Sequence, residues 1–97
     1  MLRLGLRAAL IQGLFALAER YARRLADLDE AEGFLGLALA ALRVKSPLEL
    51  RGGEDLKAVE PYLTEALSRA EIPEALLIIG VLREREGRFR ELSLIHI

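Results

Sequence analysis

Nucleophilic catalysis needs a hydroxyl or thiol beside an imidazole or an equivalent base. In this 97-residue chain the single histidine is His96, next to the C-terminus. The hydroxyls of Ser46, Thr64 and Ser68 fall where the pattern reads as helix ends or solvent faces, and none has a base partner in sequence. There is no cysteine, which removes a disulfide framework and any thiolate nucleophile or metal ligand. The carboxylates of Glu30, Glu32, Glu84 and Glu86 sit in first turns or on faces of alternating charge, where capping and ion pairing account for them. Glu84 with Arg88 and Glu86 with Arg90 have the i,i+4 spacing that supports a helix, and no metal-ligand spacing links the acidic residues. Gly52 and Gly53 precede Glu54 and Asp55, without the lysine and hydroxyl residue of a phosphate-binding loop. No catalytic residue, cofactor, metal or small-molecule substrate is therefore expected, and the polar convergence of an enzyme or small-ligand site is missing.

The surrounding elements are helical by composition. Leu (22) and Ala (14) dominate, against nine Val and Ile together and no Trp, so strong helix formers far outnumber β-branched residues. The 14 basic and 15 acidic residues nearly cancel, leaving no field to favour a polyanion or a membrane surface. Neither direct nucleic-acid binding nor membrane binding is expected, and a cysteine-free chain fits a reducing cytoplasm.

The N-terminus imitates a signal peptide, with a basic start and a small-x-small pair at Ala16 and Ala18. Gln12 interrupts its apolar run, however, and the stripe Leu10, Leu14, Leu17, Tyr21, Leu25, Leu28 passes through the would-be cleavage point. The spacing predicts one amphipathic helix over 6–26, with Glu19, Arg20, Arg23 and Arg24 on its solvent side. Asp27 or Asp29 then supplies an N-cap, and Asp29 with Glu32 has capping-box spacing. Residues 33–42 (GFLGLALAAL) carry no charge, which predicts a core helix buried on more than one side, ending at Lys45, Ser46 and Pro47. A loop over 48–55 precedes a helix with Leu56, Val59, Leu63, Ala66, Leu67 and Ala70 at helical spacing, which Pro61 restarts from a first-turn position. Pro73 opens a last helix with a C-cap at Gly87.

The predicted fold is all-α, a small bundle of about four helices in antiparallel hairpins, divided into hairpins over 1–50 and 51–91. Residues 92–97 (LSLIHI) break the helical pattern with an uncharged alternation and match the translated end of a transposon sequencing adapter. The natural sequence is expected to stop near Glu91, making the chain a truncated fragment; the alternative is a genuine edge strand.

The stretch DLDEAEGFLGLALAALRVKSPLEL, residues 27–50, resembles the N-terminal domain of segregation and condensation protein A, the bacterial kleisin. The residues in register are Asp27, Leu28, Asp29, Ala31, Phe34, Leu35, Ala38, Leu42, Val44, Lys45, Ser46 and Leu48; upstream, Tyr21 and Leu25 match the family's preceding helix. The segment between Tyr21 and Phe34 is short, residues 1–13 lack the family's usual opening, and its Leu-Leu-Pro exit reads Leu-Arg-Gly here. The resemblance implies a non-enzymatic subunit of chromosome segregation and condensation that binds the coiled-coil neck of a structural-maintenance-of-chromosomes ATPase. Its partner-binding residues would be Leu14, Leu17, Tyr21 and Leu25 with Leu35, Leu39 and Leu42, each of which equally suits an internal core.

A second resemblance covers residues 73–92, which look like the first helix and turn of a tetratricopeptide repeat, with Leu76, Ile79 and Gly80 inside and Gly87 and Phe89 in the turn. Ala31, Leu35 and Ala38 also fit that repeat's second helix. The two matches are separated by neither one nor two periods of about 34 residues, and Pro47 falls where a helix would be required. This resemblance implies a helical scaffold that binds another protein.

Overall fold

The computed structural model describes the backbone of residues 1–95 and the side chains of residues 1–88. Five helices follow one another: α1 (Leu2–Ile11), α2 (Phe15–Asp27), α3 (Ala31–Leu42), α4 (Leu56–Arg69) and α5 (Pro73–Ile95), with a 3-10 turn at Pro47–Glu49. No strand occurs among the described residues. Each helix packs mainly on the next one in the chain, and α3 lies between α2 and α4.

The single helix expected over 6–26 is two. The chain reverses at Gly13, whose φ of +74° is left-handed, a conformation that costs glycine nothing. Gly13 N–H donates to the Leu10 carbonyl and Leu14 N–H to the Ala9 carbonyl, the paired bonds of a Schellman motif. The same closure recurs twice without glycine. After α2, Asp29 (φ 62°) donates to Ala26 and Glu30 to Leu25; after α3, Arg43 (φ 57°) donates to Ala40 and Val44 to Leu39. The two non-glycine turns cost about 1–2 kcal/mol each, which the packing they permit must offset.

These turns also correct the expected caps. Neither Asp27 nor Asp29 caps α3: its N-cap is Glu30, with no side-chain hydrogen bond to the helix, and the Asp29 carboxylate instead accepts from Arg69 Nε at 2.6 Å. Helix α3 stops at Leu42, before Lys45 and Ser46, because Arg43 has already turned left-handed.

The uncharged run of α3 behaves as its composition requires, with Gly33, Leu35, Gly36, Leu37, Ala38, Leu39 and Ala40 all buried. Its contact with α2 is made through small residues. A Cβ on Gly33 would strike Ala26 N and lie 2.7 Å from the Leu25 carbonyl carbon and 2.8 Å from the Ala22 carbonyl oxygen, all backbone. One turn on, a Cβ on Gly36 would lie 2.7 Å from a Leu6 methyl and 2.9 Å from the Ala22 methyl. Phe34, on the flank of α3, is only partly buried, and the Arg69 guanidinium stacks 4.3 Å from its ring centroid.

Helix α4 starts where the loop ends, with Asp55 as N-cap accepting from Ala58 N–H at 3.3 Å. Leu56, Val59, Leu63 and Ala66 are buried, whereas Ala70 is exposed beyond the helix end. Pro61 does not restart the helix; it lies inside it. The ring removes the hydrogen bond to the Lys57 carbonyl, and both residues lie on the exposed side of the helix. Helix α5 packs antiparallel on α4 through Ala75, Ile78 and Leu82. It continues through Gly87, where a C-cap was expected, to Ile95. Phe89 and the tail over 92–97 lie outside the residues with described side chains. With 23 residues against the 14 of α4, α5 runs past its neighbour and draws the molecule out to 53 × 26 × 18 Å.

The loop before α4 is tied down by Glu54. Its carboxylate accepts from Arg51 N–H at 2.7 Å, Gly52 N–H at 3.0 Å and Arg85 Nη2 at 3.0 Å. The two backbone donors, followed by Arg85, pull its pKa from 4.5 to about 2.

The glycine positions and the Glu54 carboxylate can each be tested. Gly33→Ala is expected to destabilise the protein by about 3 kcal/mol, the upper range for overpacking because the obstacle is backbone. Gly80→Ala, in a helix with nothing within 4 Å of the new methyl, should stabilise by about 0.5–1 kcal/mol; paired thermal melts read both signs. For Glu54, a depressed carboxylate pKa means its contribution is complete above 4.5 and vanishes as pH falls through about 2. Exchange of the Arg51 and Gly52 amide hydrogens should therefore lose protection across that window, and Glu54→Gln should weaken the pH dependence.

Candidate functional site

Among the described residues no polar or charged side chain is buried, and no group of three or more His, Cys, Asp or Glu could hold a metal. The carboxylates picked out by their spacing are each engaged with a cation. Glu30 pairs with Arg3, Glu32 with Arg7 at 3.3 Å and Glu84 with Arg88 at 2.6 Å. Glu86 is met by Arg83 at 2.7 Å and Lys57 at 3.9 Å; Arg90, its expected partner, lies outside the described side chains. The Ser68 hydroxyl donates to the Glu65 carbonyl at 2.7 Å. These contacts hold helices and turns together.

What the surface does present is apolar. On α1 the core side is Leu6, Ala9 and Leu10. Leu4, Ala8 and Ile11, at spacings of four and three, fall on the opposite side of the same helix, with Leu4 65% and Ile11 71% exposed. On α2 the buried positions are Ala18, Ala22 and Leu25, so Leu14, Leu17, Tyr21 and Leu28 form a row along its flank. Tyr21 joins the two helices: a Cβ on Gly5 would lie 2.8 Å from its ring, so the ring covers α1 at the level of Leu4. The result is one apolar face spread over the α1–α2 hairpin. Its outer edge on α2 carries Arg20 and Arg24, which flank Leu17 and Tyr21.

The seven residues expected to bind a partner separate in three ways. Leu14 and Leu17 are exposed and Tyr21 is half-buried, all on this face. Leu25, Leu35 and Leu39 are core, and Leu42 is half-buried against it. Leu35 and Leu39 also reach the floor of a groove of about 360 Å³ between α1, α3 and the start of α5, lined by Leu6, Leu10, Pro47 and Ile72 and edged by Arg7, Glu32, Lys45 and Glu74. Leu4 and Ile11 were not singled out by sequence, because a helix drawn from residue 6 to 26 has a single stripe and puts no second apolar side on its first turns. The available signal was Gly13, which ends α1 and lets Leu4, Ala8 and Ile11 form a row of their own. Leu76 and Leu77 of α5 are also about half exposed, at 50% and 49%.

No helix among the described residues is long and apolar enough to cross a membrane. Compared with protein-family models, curated proteins and solved structures, the chain matches none.

The division between face and core is open to test. Leu17→Glu, at a site 37% exposed, should shift the melting temperature by no more than about 4 °C, since surface changes stay within about 0.5 kcal/mol. Leu25→Glu, at 3% exposure, should abolish the cooperative transition by burying an unpaired charge.

Proposed function

We propose that this chain is a non-enzymatic interaction subunit whose α1–α2 face receives a helix of a protein partner. The carrying observation is the concentration of exposed apolar side chains. Nine large hydrophobic residues stand exposed among the described residues, and Met1, Leu4, Ile11, Leu14, Leu17 and Leu28 all belong to the first helix pair. Single exposed leucines need no explanation, whereas a contiguous face of them marks an interaction site. A two-helix face with a shallow seam suits an amphipathic helix laid along it.

Within that reading, the kleisin resemblance of residues 27–50 supplies the more specific proposal. The partner is the coiled-coil neck of a structural-maintenance-of-chromosomes ATPase, bound in the cytoplasm during chromosome segregation and condensation. Leu14, Leu17 and Tyr21 contact the neck, while Leu25, Leu35 and Leu39 hold the hairpin that presents them. A tetratricopeptide-like scaffold is the second reading. It is favoured by the succession of helices that each pack on the next, while Leu76 and Gly80, which that resemblance places inside, are exposed.

Calorimetric titration of the chain with the ATPase neck from the same organism tests the proposal. Binding is expected, and Leu17→Glu, checked to be folded, should weaken it about thirtyfold or more, as for a residue central to an interface. Absence of binding removes the kleisin assignment and leaves the scaffold reading; equal binding by the folded variant removes the face.

A further inference from the structure

Resting on the reading of the α1–α2 face as a docking surface, we infer that its occupant is a helix of another protein carrying acidic residues along one flank of its apolar stripe.

The argument is electrostatic. Four arginines border the face, and the structure treats the two sides differently. On the α1 side, Arg3 is paired with Glu30, the N-cap of α3, and Arg7 with Glu32 in its first turn. On the α2 side, Glu19 is taken by Arg23 at 2.7 Å, and Arg20 and Arg24 make no ion pair among the described residues. Arg20 and Arg24 are exposed and one helical turn apart, so their guanidinium groups stand beside each other next to Leu17 and Tyr21. Like charges at this spacing are mildly unfavourable in the free helix, and a carboxylate facing the pair relieves that repulsion. An occupant seated on the apolar face therefore meets matched charge along α1 and unmatched positive charge along α2. Acidic side chains one turn apart on a single flank satisfy this arrangement, and the asymmetry also orients the helix.

The same charges argue against two other occupants. A second copy of this chain docked through the same face would bring its own Arg20 and Arg24 against these two, where Glu19, Glu30 and Glu32 are already paired. An anionic lipid surface is ordinarily held by clusters of four to eight basic residues, and only two here are unneutralised, on a chain of net charge −1.

The test uses two synthetic helical peptides with the same leucine stripe, one with glutamates and the other with lysines at i,i+4 along one flank, titrated into the intact chain by fluorescence anisotropy. The glutamate peptide should bind about tenfold tighter, the scale of two exposed charge pairs, and the margin should shrink as salt rises from about 50 mM to about 500 mM. The double variant Arg20→Glu/Arg24→Glu should reverse the preference, and its binding of the lysine peptide demonstrates that it is folded. Equal binding of both peptides by the intact chain overturns the charge inference while leaving the docking face in place. If neither peptide binds, or if Leu17→Glu binds the glutamate peptide as well as the intact chain does, the face itself is refuted. Co-sedimentation with phosphatidylserine vesicles without binding of the glutamate peptide assigns the face to lipid, and a dimer broken by Leu17→Glu assigns it to a second copy.

Discussion

The backbone of α2 and the backbone of α3 touch. At Gly33 there is no room for even a methyl group against Ala22, Leu25 and Ala26, and Ala18 and Ala22 on the facing helix are completely buried. Small residues let two helices approach closely, and close approach multiplies weak dispersion contacts that larger side chains would hold apart. Helices α1 and α4 are placed directly on this pair. Leu6 enters the space left by Gly36 and anchors α1, while the opposite side of α3 receives α4.

That contact also explains why a core built from leucine and alanine leaves leucines outside. Alanine-lined seams are narrow, so a 13-residue α2 satisfies its inward side with Ala18, Ala22 and Leu25. The larger side chains of the row, Leu14, Leu17 and Leu28, are displaced to the flank and remain in contact with water. The apolar face is thus a geometric product of tight packing beneath it. The acidic residues at the start of α3, its N-cap Glu30 and Glu32, are drawn toward Arg3 and Arg7, which is what makes the two edges of the face electrically unequal.

Much of the helical architecture was readable from residue order, because several signals are strictly local. The charge-free run over 33–42 announces a helix covered on several sides, the loop over 48–55 announces a break, and Pro73 announces a start. The break at Gly13 was obscured because Leu10, Leu14, Leu17, Tyr21 and Leu25 keep helical spacing across it, so the periodicity carries no trace of the reversal. Asp29 has the composition of a cap, yet its φ of 62° puts it in the turn that closes α2, and its carboxylate meets Arg69, 40 residues away, a partner no local pattern reveals. Gly87 resembles a helix end, but Arg88 reaches back across it to Glu84 and the helix persists. For the candidate site, the apolar character of Leu14, Leu17 and Leu25 was visible while their division into surface and interior was not. That division depends on which side of α2 is occupied by α3.

The order in which the helices pack has a kinetic side. Neighbours in space are neighbours in sequence from α1 to α5, so little loop entropy stands between the unfolded chain and its first stabilising contacts. Helical proteins of such low contact order fold in microseconds to milliseconds. Helices α1 to α3 are joined by turns of a few residues and need nothing from α5 to find one another. During synthesis this pairing can begin before the later helices have been made, and the chain spends correspondingly little time with its alanine-lined seam open to other molecules.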